Sequence, residues 1–410
     1  MHLQSNNRTI MAAPRQLLRS QFTNAQRFYS SSRKVQEHDV LFLRQQGRKY
    51  PKWHVTPPLR LDGKINLAYG ASIPASDIIG RRILDQVVDS KGNRISIHDV
   101  SLASYITNTE RLATPIYPHD ANTIVNLLDL NLGRPGEDDH VGQDAPFEIF
   151  EAGTGMGSLT LHIARALHGA NPAIPSHLRQ AISAAPLSRD LEPDSPPSLD
   201  LEPDMVRKYA DYKASRRAIL HTLDRNHKHT RGAFKIVRNF RRSQYISDID
   251  FHIGSVQGYI QQRLEANNGE PFLSRAILDL PAADEHAEDL VKALRPDAVL
   301  IIFNPSISQI ADFQLWMAKT KQPLRLEKVV ELPTSTVHDG VHDGVAGGRH
   351  WDLKLVVPRE SEEGGNSEPA QVMRPKVGDR VGGGGFVGVL RRWPTQTTTE
   401  DADADSSLQD

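Results

Sequence analysis

The sequence predicts an α/β fold, a doubly wound (Rossmann-like) sheet with a small β domain ahead of it. Three observations lead there. From Phe147 to His168, FEIFEAGTGMGSLTLHIARALH, a short apolar strand runs into a turn with Gly153, Gly155 and Gly157 at alternate positions, and a helix opens at Ser158. Strand, glycine turn and helix form the nucleotide-cradling unit of doubly wound sheets. Further on, two apolar runs end in acids: Ala218 to Leu223 stops at Asp224, and Ala276 to Leu280 carries Asp279 near its end. Lastly, strand and helix patterns alternate after residue 250, with strands at Asp250–Gly254 and Ala298–Phe303 and a helix at Asp284–Leu294.

The glycine spacing is informative. A dinucleotide fingerprint reads G-x-G-x-x-G, whereas here the third glycine comes one residue early. Glu151 with Gly153, Gly155 and Gly157 gives E-x-G-x-G-x-G, which resembles the cofactor loop of class I S-adenosylmethionine-dependent methyltransferases. The alternative is a tight βα turn that binds nothing. Asp224 ends the strand where a ribose is held through its hydroxyls; it could instead cap the next helix.

Composition narrows the chemistry. With 410 residues there is room for two or three domains, and 38% hydrophobic and 24% charged residues suit a globular chain. The absence of cysteine excludes disulfides, a thiol nucleophile, cysteine-ligated zinc and iron–sulfur radical chemistry. No apolar run approaches a membrane span, so no membrane partner is expected. A net charge of −1 means that any nucleic-acid site must be a local patch.

Residues 1–35 are basic and Ser-rich, with no acid before Glu37. That is the profile of a mitochondrial presequence, and Arg27-Phe28-Tyr29-Ser30 resembles a matrix-peptidase site. Cleavage before Ser30 would remove four arginines and take the net charge from −1 to −5. Residues 36–112 read as a small β domain, with strands near Val40–Leu43, Lys64–Ala68, Ile83–Val88 and Arg94–Ile97 and a hairpin turn at 89–93. Residues 113–395 hold the larger domain. Asp120 is positioned to cap a helix carrying Ile124, Val125, Leu127 and Leu128. Residues 171–215, rich in Pro, Asp and Ser, read as a disordered insertion. Loops are expected near 333–348 and 359–379, and an acidic disordered tail at 396–410. Arg325–Leu332, His350–Val357 and Phe386–Leu390 are expected to complete the sheet.

Two further features have competing readings. Residues 216–242 contain nine Lys and Arg and one acid, Asp224. Such a stretch is either an RNA-phosphate patch or a solvated helix face. The Val-His-Asp-Gly repeat brings His338 and His342 into one loop, but a Gly-rich loop without fixed geometry makes a poor metal site; no metal is expected.

Together these segments resemble the tRNA (adenine-N1)-methyltransferases that act at position 58 of the T-loop, over about residues 38–395. RLATPIYPHD (111–120), with Tyr117 and Pro118, is similar to the segment entering that family's methyltransferase domain. FEAGTGMGSLTLHIARAL matches its cofactor loop, AILDL its catalytic strand, Asn304-Pro305-Ser306-Ile307-Ser308-Gln309 loosely its P-N-I-T-Q turn, and Arg349-His350-Trp351 and FVGVLRRW (386–393) its last strands. The chain departs from the pattern where Ala283-Asp284 replace Pro-Trp, Gly382-Gly383-Gly384 replace Gly-His-Thr, His119 stands where lysine is common, and His229 stands where an arginine follows the ribose acid.

The resemblance implies S-adenosyl-L-methionine as cofactor and tRNA as partner, with Asp279 as the catalytic residue. It places Glu151, Gly153, Thr154, Gly155, Gly157, Ser158, Leu159, Asp224, Ser255, Val256, Asp279 and Tyr117 around the cofactor. It further implies a homotetramer, or a heterotetramer with a non-catalytic subunit. With the presequence it points to a fungal-type mitochondrial member in the matrix; the nucleus is the alternative. Two other readings stay open: a non-catalytic RNA-binding subunit of such a complex, and a methyltransferase acting on another substrate.

Overall fold

The computed structural model describes residues 33–47, 53–110, 113–135, 137, 145–188, 192, 195–337, 351–356, 370–375 and 380–394. Nearly all of the presequence, the His338/His342 loop, Arg349 and His350, the 357–369 linker and the acidic tail lie outside the described residues.

The N-terminal unit is built from β1 (Leu41–Gln45), β2 (Trp53–Val55), β3 (Lys64–Asn66), β4 (Ser72–Pro74), β5 (Gln86–Val88) and β6 (Arg94–Asp99). Four of them form an antiparallel sheet in the order β2-β1-β6-β5, and β3 and β4 pair as a hairpin. Leu41, Leu43, Ile95 and Ile97 share one face at period 2 and are almost wholly buried; Phe42 and Ser96 between them are buried as well. The β5–β6 turn is held by Asp89. Burial pushes its carboxyl up, but hydrogen bonds from Tyr69, Asn93 and Lys91 outweigh this and hold it at about 2.

Helices α1 (Leu102–Asn108) and α2 (Pro118–Leu127) lead into the larger domain. Asp120 does not cap α2. Pro118, with its fixed φ and no N–H to satisfy, starts the helix earlier, Tyr117 takes the cap position, and Asp120 falls in the first turn. The domain then runs through β7 (Phe147–Ala152), α3 (Ser158–Leu167), α4 (Ser176–Ala184), α5 (Pro203–Ala214), β8 (Ala218–Asp224), α6 (His227–Asn239), β9 (Ile249–Ile253) and α7 (Val256–Ala266). It continues with β10 (Leu273–Leu278), α8 (Ala287–Ala293), β11 (Leu294–Asn304), α9 (Ile307–Lys319), β12 (Leu324–Leu332), β13 (Ser335–Val337), β14 (Trp351–Val356), β15 (Ala370–Pro375), β16 (Arg380–Gly382) and β17 (Gly385–Arg392).

Seven strands form one sheet in the order β12-β17-β11-β10-β7-β8-β9. Pairings among β7 to β11 are parallel; β17 is antiparallel to both β11 and β12. Alternate residues serve two cores. Ile149, Ile277 and Ile301 face a cluster with α2, α3 and α6. Phe150, Leu278 and Leu300 face the other, with α7, α8 and α9. Both faces are covered, as a parallel sheet requires. The order in which strands are added reverses at β7: β8 and β9 extend the sheet to one side and β10 to the other. In such sheets ligands bind at the carboxyl ends of the strands flanking that switch point.

Further expectations are corrected. The stretches expected as loops near 333–348 and 359–379 carry β13 and β15. Strand β14 does not complete this sheet; it pairs with β15 in a two-stranded ribbon. The 171–215 insertion is not simply unstructured, since it carries α4 and α5. Leu178 and Ile182 of α4 reach the main core. The guanidinium of Arg238 donates to the carbonyls of Ile182, Ser183 and Ala185, satisfying acceptors that a helix C-terminus leaves open. Among the described residues no helix is long and apolar enough to cross a membrane.

Candidate active site

The glycine turn sits at the carboxyl edge of β7, between the ends of β8 and β10. All three glycines have positive φ: +100° at Gly153, +52° at Gly155 and +83° at Gly157. Two of them also allow close approach. A Cβ on Gly153 would lie 2.3 Å from the Asp279 carbonyl oxygen, and one on Gly157 would lie 2.9 Å from the Ala233 Cβ. The Asp279 N–H in turn donates to the Ala152 carbonyl at 2.9 Å. The turn and the end of β10 are thus joined backbone to backbone.

Asp224 anchors the turn from the other side. Its Oδ2 accepts the Gly155 N–H at 3.0 Å and lies 3.3 Å from His229 Nδ1; its Oδ1 accepts the Asn226 N–H at 2.8 Å. The cap of α6 is Asn226, so Asp224 is left at the sheet edge with its remaining lone pairs.

Glu151 lies beneath the turn, with no exposed surface. Thr160 and Thr222 each donate to its Oε2 at 2.7 Å, and the Thr222 and Thr154 hydroxyls are 2.7 Å apart. Burial, offset only in part by the two threonines, pushes this carboxyl up to about 8. Neutral at pH 7, Glu151 supports the turn through Thr222 and Thr154 and does not line its outer surface. Sequence reasoning does not single out Thr160 and Thr222: a hydroxyl two residues before Asp224 and another inside the helix are signals too common to stand out.

The other expected residues divide by role. Ser158 Oγ donates to the Ile116 carbonyl at 2.6 Å, which brings the neighbouring Tyr117 to the turn. Thr154 and Leu159 are buried. Ser255 caps α7, accepting from the Gly258 N–H at 3.1 Å. Val256 is 2% exposed and packs in the core cluster with Phe150 and Leu223.

Asp279 differs from its neighbours. No hydrogen bond or ion pair reaches its side chain among the described residues, so it does not cap the turn that follows. It is partly exposed, yet burial, followed by the nearby charge of Asp224, pushes its carboxyl up to about 7. A carboxylate without a protein partner at a ligand edge has its acceptor capacity available. The turn after it contains Ala282 at φ +51°, an uncommon conformation for a residue with a Cβ.

The basic 216–242 segment is divided between structure and surface. Arg216 pairs with Asp250, Arg231 donates to the backbone carbonyl of Glu192, Arg238 holds α4 and Arg242 pairs with Asp39. Arg225, Lys228, Lys235 and Arg241 remain exposed.

The sheet order, the glycine turn and the two strand-end acids define the class I S-adenosylmethionine-dependent methyltransferase architecture. A SAM-dependent O-methyltransferase from Thermotoga maritima has the same fold, with a TM-score of 0.53 at 12% identity over 89% of this chain and 97% of that one. In sequence the chain is similar to the tRNA (adenine(58)-N(1))-methyltransferase TrmI of Thermus thermophilus. It is 26% identical over 307 residues, covering 74% of this chain and 78% of that protein, and the TrmI of a second strain gives the same figures. No family model matches the chain.

Proposed function

We propose that the protein transfers the methyl group of S-adenosylmethionine to ring nitrogen 1 of the adenine at position 58 of tRNA. The observation that carries this reading is the unpartnered Asp279 carboxylate, fixed by backbone contacts against the glycine turn. The similarity to TrmI supports the choice of substrate.

The cofactor supplies a methyl on a sulfonium centre. Gly153, Thr154, Gly155, Gly157 and Ser158 would hold its methionine part, and Asp224 its ribose hydroxyls, as strand-end acids do in such sheets. Ser255 and Val256 would border its adenine, and Tyr117 would flank the turn. The ring nitrogen attacks with an in-plane lone pair and needs no strong base. Positioning therefore carries much of the rate. Alkylation leaves the base cationic. Asp279, accepting a hydrogen bond from the exocyclic amine beside the reacting nitrogen, would raise nucleophilicity and stabilise that charge. The target base must leave its stack to reach this pocket.

The test is incubation of the full chain with labelled S-adenosylmethionine and tRNA transcripts, followed by mapping of the product. Methyl on adenine 58, lost when that base is replaced, is the expected result. Cofactor binding without transfer on any tRNA would instead mark a non-catalytic subunit. We infer also a mitochondrial matrix location from the basic first 35 residues, to be checked by import and N-terminal sequencing. A tetramer is inferred from the TrmI likeness, to be checked by light scattering.

A further inference from the structure

We propose that the cleft between the N-terminal β unit and α4 holds an RNA phosphate backbone, as a second contact far from the reacting base. The proposal rests on the tRNA reading above. The cleft is a cavity of 390 Å³ adjoining another of 470 Å³, the two sharing His38, Ser183 and Ala184.

Its charge is one-sided. Arg60, Lys64, Lys235 and Arg238 line the first cavity, which has no acid in its wall. Arg179 and Arg242 line the second beside Glu37, whose carboxylate accepts the Leu61 N–H. These cations act on one another: burial and then the charge of Arg60 lower Arg238, and burial and then Arg242 lower Arg179. Arg238 and Arg242 are spent on carbonyls and on Asp39. Arg60, Lys64 and Lys235 are exposed and form no ion pair among the described residues. The floor is apolar, from Leu59, Ile65 and Leu187. Phosphates on a cationic rim with riboses over an apolar floor fit this arrangement.

Distance separates the cleft from the chemistry. Asp224 precedes the first turn of α6, whereas Lys235 and Arg238 come 8 and 11 residues after its first residue, His227, about 12 and about 17 Å along the axis at 1.5 Å per residue. One nucleotide cannot fill both places; an RNA with a folded arm can.

The test uses the full-length protein carrying Arg60→Glu, Lys64→Glu and Lys235→Glu together. Binding of a labelled tRNA transcript is followed by fluorescence anisotropy across a salt series, without S-adenosylmethionine. The triple variant is expected to lose about tenfold or more in affinity, and its slope of log affinity against log salt should fall by about 2. The matching Gln variant should fall between. Cofactor affinity and thermal midpoint should match the unmodified protein, which a folding defect would not allow. An unchanged affinity and slope would overturn the proposal, as would equal competition by polyglutamate of matched charge, which would assign the cleft to acidic peptides. If the unmodified protein binds tRNA but transfers no methyl group, a changed slope keeps this site while the catalytic reading falls. If it binds no RNA, both fall.

Discussion

A Cβ on Gly383 would lie 2.5 Å from Nε2 of His119. The glycine has φ +80°, and the next N–H, of Gly384, donates to Asp120 Oδ2 at 3.2 Å. The imidazole of His119 is 5% exposed, with Nε2 3.1 Å from Asp120 Oδ1. The Cβ would also lie 2.5 Å from Asp120 Oδ2, so the space that a side chain at 383 would need is taken by the side chains at 119 and 120 together.

Gly383→Ala is expected to lower the thermal midpoint, partly through the positive φ and partly through this overlap. His119→Ala should relieve only the share of the overlap that the imidazole makes, leaving the contact with Asp120 Oδ2. A double-mutant cycle read by thermal unfolding should give a favourable coupling of about 1 kcal/mol. Additive losses would mean that the two residues do not compete for space.

Gly153→Ala should weaken cofactor binding and methyl transfer together. The added methyl meets a backbone carbonyl 2.3 Å away, on a residue with φ +100°, so either the turn or Asp279 must shift. Calorimetric titration with S-adenosylmethionine checks this; a hundredfold loss of affinity is the expected order, since close backbone approach is what such glycines supply.

The pH dependence follows from Asp279. With its carboxyl at about 7, kcat/KM for tRNA should rise with pH along a limb centred near 7 and level off above it. Asp279→Asn should remove both the limb and the activity while leaving tRNA binding intact. A rate that stays flat from pH 5.5 to 8.5 in the unmodified enzyme would contradict the role given to this carboxylate.

The same group links stability to pH, as does Glu151. Both carboxyls sit above their unfolded values, near 7 and 8. The native state therefore holds protons that the unfolded chain has released. Their contribution is complete below the unfolded pKa of about 4 and is lost as pH rises through 7 and 8. Glu151→Gln and Asp279→Asn should each flatten this fall, and both should be relatively more stable than the parent at pH 8.5. Thermal midpoints from pH 4 to 9 provide the measurement. Glu151→Gln should also keep cofactor affinity at pH 7, because the carboxyl it replaces is neutral there.

Arg238 offers a separate test. Its Ala variant leaves three carbonyls at the end of α4 without their donor, at a cost of about 1–3 kcal/mol. Limited proteolysis should then cut the 171–215 segment faster, with the sheet left intact.

The elements around the cofactor edge were legible because each rests on local pattern. Glycine spacing at 153–157 and apolar runs ending in Asp224 and Asp279 need only a few residues to be seen. The strand ending in Asp224 was legible despite the insertion, whose composition marks its own limits. What the insertion folds into was not legible. In α4 only Leu178 and Ile182 face inward, and the arginine that holds its end comes 53 to 56 residues later. Nor could a strand pattern reveal its partner: β14 and β17 read alike, yet only β17 enters the main sheet. The basic 216–242 stretch shows the same limit, since sequence counts its charges without saying which are already paired.

The place of β17 bears on how the chain is made. Residues 386–391 pair with 299–304 on one side and residues 385–392 pair with 324–332 on the other. Until that last strand leaves the ribosome, β11 carries an open hydrogen-bonding edge and β12 has no seat in the sheet. The strands that frame the glycine turn, β7, β8 and β10, are all emitted earlier. The edge that bears the glycine turn can therefore assemble on a half-built sheet whose sticky flank needs shielding until β17 is made.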